Sequence, residues 1–224
     1  MDPMNTGIEP LYLTLDELGW PDDEAVTLQA HQASLDADAL TIELALSVGQ
    51  ALHSKWVIKC AGVIENRVSL GEVEGVWVDS GHVLLLDHAD RRADLYVSGQ
   101  GADTARVGAG LAVAHQELLG EWRPMSRYLN PAMPLAQLLA FPSGELASGP
   151  ATLMGRYADA LQDLGFQTHT LRYGVPRRWV KNEGWVAGPD VVALILDNVD
   201  RRARATPPGS YVICEAFESK RIDP

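Results

Sequence analysis

Two stretches of the chain, 110 residues apart, have nearly the same sequence. Residues 84–93 read LLLDHADRRA and residues 194–203 read LILDNVDRRA, with seven of ten positions identical. Because landmarks repeated in one order indicate repeated structural units, the sequence predicts an internal duplication. The flanking landmarks also agree in order: Glu-Gly-Val-Trp-Val at 74–78 and Glu-Gly-Trp-Val at 183–186, then Tyr-Val at 96–97 and 211–212.

The repeated unit is predicted to be α-β-β-β. Residues 149–165 have a proline near the start, apolar residues at helical spacing and a glycine at the end, which predicts a helix. Its counterpart is residues 36–53, where Leu40, Leu44, Val48 and Leu52 favour a helix, although alternation from Leu40 to Leu46 also suits a strand. We therefore expect an α+β fold, in which the duplicated unit forms an antiparallel or mixed sheet with helices on one face.

This interpretation divides the chain into four segments. They are an acidic N-terminal segment (1–35), a first repeat (36–98), a helical, proline-rich connector (99–148) and a second repeat (149–224). The connector holds a predicted helix within residues 102–122 and a short one after Pro134. The residues up to about Asp38, which include an apolar run from Leu11 to Leu15 and turn signals at 19–21, are predicted to add an edge strand or to fold over the sheet.

Composition indicates a folded cytoplasmic protein. The chain has 224 residues, of which 46% are hydrophobic, enough to bury a core. Its first residues lack the basic and apolar regions of a signal peptide, and no apolar run reaches the roughly 18 residues of a membrane span. We expect no membrane association, and we expect Cys60 and Cys214 to be buried free thiols.

Charge is concentrated at the N-terminus. Residues 1–54 contain ten acidic residues and no lysine or arginine, whereas the whole chain has a net charge of −12. Such a segment repels nucleic acid, which we do not expect as a partner, and favours a basic protein surface. Asp22, Asp23 and Glu24 are the candidate contacts; the alternative is that the acids serve solubility alone.

The repeated D-x-x-D-R-R motif is the second candidate site. Paired carboxylates can bind a divalent cation, and arginines can hold a phosphate or a carboxylate. The alternative, which we favour, is a hairpin turn shaped by aspartate, with Asp–Arg pairs at its tip. The candidate residues are Asp87, Asp90, Arg91 and Arg92 in the first copy and Asp197, Asp200, Arg201 and Arg202 in the second.

Other patterns give no catalytic assignment. The histidines lack zinc-ligand spacing, and the glycine pairs complete neither a phosphate-binding loop nor a dinucleotide fingerprint, so no metal or cofactor is expected. The tryptophans are predicted to anchor the two cores: Trp56, Trp77, Trp179 and Trp185.

Two function classes follow from these features. The first is a non-catalytic acidic protein that binds or inhibits another protein, as immunity-type proteins do. The second is an enzyme that acts on a phosphorylated or anionic small molecule through the D-x-x-D-R-R hairpin. The sequence indicates no oligomeric state.

Overall fold

The chain folds into two compact units of α+β structure. The computed structural model describes residues 7–37, 39–99, 103–175, 191–196 and 209–222, and the backbone of 177–180 and 184–187. By their contacts, one unit comprises Met1–His82, Asp190–Ala203 and Pro208–Pro224, and the other comprises Val83–Pro189 and Arg204–Pro207. We call them unit 1 and unit 2.

Helices and strands are numbered along the chain. The helices of the described residues are α1 (Glu9–Glu17), α2 (Leu86–Ala89), α3 (Thr104–Leu119), α4 (Leu135–Leu138) and α5 (Ala151–Gln162). The first seven strands are β1 (Val26–Asp36), β2 (Ala39–Val48), β3 (Ala51–Ala61), β4 (Glu65–Arg67), β5 (Gly71–Glu72), β6 (Val76–Asp79) and β7 (Arg92–Ser98). The others are β8 (Ser143–Pro150), β9 (Gln167–Arg172), β10 (Arg177–Val180), β11 (Gly184–Ala187), β12 (Val192–Leu196), β13 (Ser210–Cys214) and β14 (Ala216–Ile222).

The described residues of unit 1 form two antiparallel sheets and one helix around a shared core. One sheet has the strand order β14-β3-β2-β1-β5, and the other has the order β4-β13-β12-β6. Apolar side chains from both sheets, such as Ile42 and Val212, lie in one buried cluster. Helix α1 adds Leu11 and Leu15 to this cluster, so the apolar run at residues 11–15 forms a helix. The strand of the N-terminal segment is β1, which lies between β2 and β5 and not at the edge of its sheet.

The helix predicted over residues 36–53 is also wrong. Residues 39–53 instead form β2, the turn at Gly49 and the start of β3. Leu40, Leu44, Val48 and Leu52 are spaced by four, which fits a helix face but is equally a subset of a period of two. Burial settles the period, because Val48 and Leu52 are 38% and 45% exposed while the alternating leucines and isoleucine of β2 are buried.

Unit 2 has a three-stranded antiparallel sheet with the order β8-β7-β9. Its buried face, formed by alternate residues of β7, lies in one apolar cluster with α3 and α5. The helices predicted within 102–122 and 149–165 are confirmed as α3 and α5. In α5, Leu153, Tyr157 and Leu161 are buried on one face, as the spacing predicted.

The duplication is not confirmed by the described residues. Leu84 and Leu85 lie in a 3-10 turn that leads into α2, whereas Leu194 and its neighbours form the buried strand β12. Strand pairing also crosses the expected segment boundaries, since β1 pairs with β2, and β7 pairs with β8 and β9. The α+β class with antiparallel sheets is what the structure shows.

Both cysteines are free and buried in unit 1, as expected. Cys60 lies on β3 and Cys214 on β13, one from each sheet, and their thiols form a hydrogen bond with each other. This contact and burial raise the pKa of the Cys60 thiol, whereas acceptance of the hydrogen bond lowers the pKa of Cys214. The pair therefore belongs to the core between the sheets.

Candidate binding site

Asp22, Asp23 and Glu24 form a tight turn between α1 and β1, which we call the acidic turn. The carbonyl oxygen of Gly19 accepts hydrogen bonds from the N–H groups of Asp22 and Asp23, both at 3.0 Å. Gly19 has a φ of 76°, which glycine adopts without strain. The Asp23 side chain accepts a hydrogen bond from the Ala25 N–H at 2.9 Å. All three acidic residues are exposed, so their carboxylates are accessible to solvent.

An open cleft of about 520 Å³ lies beside the acidic turn in unit 1. Helix α1, the residues that follow it and strand β6 form its walls. We call it the aromatic cleft, because three aromatic side chains and one carboxylate are among its lining groups: Tyr12, Trp20, Trp77 and Asp16.

The pattern of α1 explains one wall of the cleft. Leu11 and Leu15 are buried in the core, and Tyr12 and Asp16 each follow them by one residue. Residues four apart lie next to each other on a helix surface, so Tyr12 and Asp16 share the face beside the core. The Trp20 N–H then donates to the Leu15 carbonyl at 3.0 Å, which places Trp20 at the end of the helix.

Strand β6 supplies another wall of the cleft. It pairs with β12, with Trp77 opposite Ile195, and it stands last in the order of its sheet. Val76 is buried in the core, whereas Trp77 is only half-buried and lines the cleft. The prediction that Trp77 anchors a core is therefore wrong, because a residue on an edge strand can face an opening.

Sequence analysis missed Tyr12, Asp16 and Trp20 as site residues. The spacing of Tyr12 and Asp16 was a usable signal, since residues four apart share one helix face. Trp20 lies after the end of α1 and gave no such signal. Trp56 is buried in the unit 1 core, as predicted. The side chains of Trp179 and Trp185 lie outside the described residues.

In unit 2, Asp87 is held by internal ion pairs. Its side chain is 6% exposed, and its Oδ2 atom lies 3.6 Å from Nε of Arg123 and 3.2 Å from Nε of Arg127. The Tyr128 hydroxyl donates a hydrogen bond to the same oxygen at 3.1 Å. Burial and the Asp87 carboxylate raise the pKa of Tyr128. Asp87 thus balances the charge of Arg123, whose side chain is 5% exposed.

Asp90 and Arg91 are engaged with the start of α5. Asp90 accepts hydrogen bonds from the N–H of Thr152 and from the N–H of Arg91, both at 2.7 Å. The Arg91 carbonyl accepts from the Ala151 N–H at 2.7 Å. The first N–H groups of a helix have no partner within the helix, so this segment caps α5 from a distant part of the chain.

The motif is not the hairpin expected from sequence. Residues 83–89 form a 3-10 turn and helix α2, in which the adjacent Leu84 and Leu85 are both buried. A strand with one solvent-exposed face would expose one of these two residues. Arg91 and Arg92 are exposed, and Asp87 pairs with other arginines. Asp197, Asp200, Arg201 and Arg202 of the second copy lie outside the described residues. The described residues contain no cluster of three or more potential metal ligands.

A buried polar network lies near Asp87 in unit 2, and sequence analysis did not predict it. His115 Nε2 lies 2.6 Å from the Arg123 carbonyl oxygen, and Nδ1 lies 2.8 Å from the Tyr157 hydroxyl. Because a carbonyl only accepts, Nε2 carries the proton in the neutral ring, and Nδ1 accepts from Tyr157. Burial raises the pKa of Tyr157. These bonds connect α3, α5 and the Arg123 segment within a closed core.

Within the described part of the chain, no helix has the length and apolar character needed to cross a membrane. Comparison of the chain with protein-family models, with curated proteins and with solved structures found no match.

Proposed function

We propose that this protein is a non-catalytic acidic protein that binds, and thereby inhibits or sequesters, a basic protein partner. The observation that carries the proposal is the position of the acidic turn beside the aromatic cleft in unit 1. Exposed carboxylates attract a basic surface and increase its association rate. Apolar and aromatic groups in a cleft then supply contact area that surface charge alone lacks.

Charge distribution adds support. The acidic turn lies in a segment of 54 residues with no lysine or arginine, so that no local base neutralises it within the sequence. We expect the protein to act in the cytoplasm, where free thiols such as Cys60 and Cys214 stay reduced.

The arrangement of the first D-x-x-D-R-R copy favours this proposal over an enzyme. An active site needs groups that converge on an open space where a substrate can sit. Asp87 instead pairs with Arg123 and Arg127, and Asp90 caps α5. These contacts give the motif a structural role in unit 2.

The proposal is tested by capture from an extract of the native host at low salt. Compared with the wild type, a variant with Asp22→Asn, Asp23→Asn and Glu24→Gln should retain much less of one basic protein. The matched control changes three exposed acids of unit 2 in the same way: Glu117→Gln, Asp159→Asn and Asp163→Asn. Equal capture of every basic protein by all three forms would contradict the proposal.

A further inference from the structure

We propose that the aromatic cleft receives an arginine side chain from the basic partner. This inference rests on the proposed function and specifies the chemistry of its site. Three aromatic groups, Tyr12, Trp20 and Trp77, line the cleft together with Asp16. The face of an aromatic ring carries partial negative charge and attracts an organic cation, with tryptophan the most effective ring.

Asp16 gives the cleft a formal negative charge. It is exposed, and it lies one residue before the end of α1. The C-terminal end of a helix carries a partial negative charge and stabilises nearby cations, and α1 has no basic residue in its last turn. The carboxylate and the helix end therefore add to the attraction of the rings.

The lining of the cleft fits arginine in particular. A guanidinium is planar, so that it stacks on aromatic faces and forms paired hydrogen bonds with a carboxylate. Its aliphatic stem can lie on apolar groups, and Leu13, which is 63% exposed, and Val78 also line the cleft. A lysine ammonium is more strongly hydrated and lacks the planar fork, so it should bind less well.

The occupant is a protein segment because the cleft and the acidic turn are adjacent along the chain. Trp20 lines the cleft and Asp22 follows two residues later. An arginine in the cleft places the neighbouring residues of its own chain near three exposed carboxylates. A segment with several basic residues can use both features at once, whereas free arginine can use only the cleft.

Three capped peptides of six residues test the inference: hexa-arginine, hexa-lysine and hexa-citrulline, the last a neutral analogue of arginine. Binding to the full chain is measured by titration calorimetry and tryptophan fluorescence at low salt. We expect the arginine peptide to bind most tightly, the lysine peptide less tightly and the citrulline peptide not measurably. Trp77→Leu should weaken hexa-arginine about tenfold, Asp16→Asn should weaken it as well, and Trp77→Phe should keep most of the affinity.

The variants distinguish failure of this inference from failure of the proposed function. If the triple variant of the acidic turn loses hexa-arginine while Trp77→Leu and Asp16→Asn bind it normally, the cleft inference is overturned and the binding function stands. If no peptide binds the wild type, both fail. Equal binding of hexa-citrulline would also overturn the inference. So would self-association of the wild type that Trp77→Leu abolishes, because a second copy would then be the occupant. Circular dichroism and thermal melting establish that each variant is folded.

Discussion

Asp90 caps helix α5 through the N–H group of Thr152, which donates to its carboxylate at 2.7 Å. The two residues lie 62 positions apart in the sequence, so the cap ties the start of β7 to the start of α5. The Arg91 carbonyl completes it by accepting from the Ala151 N–H. Asp90 of the repeated motif therefore stabilises the N-terminus of α5, which belongs to another segment of the chain.

We expect Asp90→Ala to reduce the free energy of unfolding by about 1 kcal/mol, because loss of a helix cap has about this cost. Asp159→Ala, an exposed change within the same helix, is the control and should have little effect. Equilibrium denaturation measures both. An Asp90→Ala protein as stable as the wild type would show that the cap contributes nothing.

Asp87→Asn should destabilise the protein more strongly, by about 3–5 kcal/mol, since it removes the buried carboxylate that pairs with the buried Arg123 guanidinium. Arg127→Ala should cost less, because Arg127 is 47% exposed and exposed ion pairs contribute about 0–1 kcal/mol. A thermal-shift series with Mg²⁺, Mn²⁺ and nucleotides checks the structural role. A saturable rise in Tm that Asp87→Asn abolishes would make Asp87 a ligand instead.

The buried thiols should be unreactive in the folded protein. Only the thiolate is a good nucleophile, and the pKa of Cys60 is raised by its hydrogen bond with Cys214 and by burial. The pKa of Cys214 is lowered, but its side chain is 0% exposed, so that a reagent in solution cannot reach it. We expect iodoacetamide to label neither cysteine under native conditions and both in denaturant, as measured by mass spectrometry. Rapid native labelling of either thiol would contradict the closed core of unit 1.

Stability should fall in mild acid through His82. Burial lowers the pKa of His82 from 6.5, although Asp79 opposes this shift. The unfolded chain therefore binds a proton before the folded chain does, and stability decreases as the pH drops below about 6.5. His82→Gln should flatten the pH dependence of urea unfolding in this range, whereas His169→Gln at an exposed position should not. The same slope in all three proteins would exclude His82 as the cause.

Local patterns predicted the unit 2 helices, but they favoured a helix where unit 1 has strand β2. In α5, the helical spacing of Leu153, Tyr157 and Leu161 is also the burial pattern. In β2, spacing by four was ambiguous, and only the sheet that surrounds Ile42 and Leu44 decides the period. Tertiary context overrides local preference in such short apolar segments.

The candidate site shows the same limit. Exposure of the acidic turn followed from its composition and its turn residues. The cleft did not, because it requires β6 to lie near α1, which precedes it by almost 60 residues. No local sequence pattern predicts that β6 lies near α1. Trp77 was predicted as a core residue, because a lone tryptophan in a β-like run is more often buried.

The dependence of hexa-arginine binding on salt tests the central claim most directly. If the acidic turn captures basic partners, affinity of the wild type should fall steeply with added salt, because exposed charges are screened within about 8 Å at physiological ionic strength. The variant with Asp22→Asn, Asp23→Asn and Glu24→Gln should bind more weakly at low salt and show a clearly shallower dependence. The control variant of unit 2 has the same net charge as the acidic-turn variant, but its affinity and its salt dependence should equal those of the wild type. Equal slopes and affinities in all three proteins, or no binding by the wild type, would contradict the account.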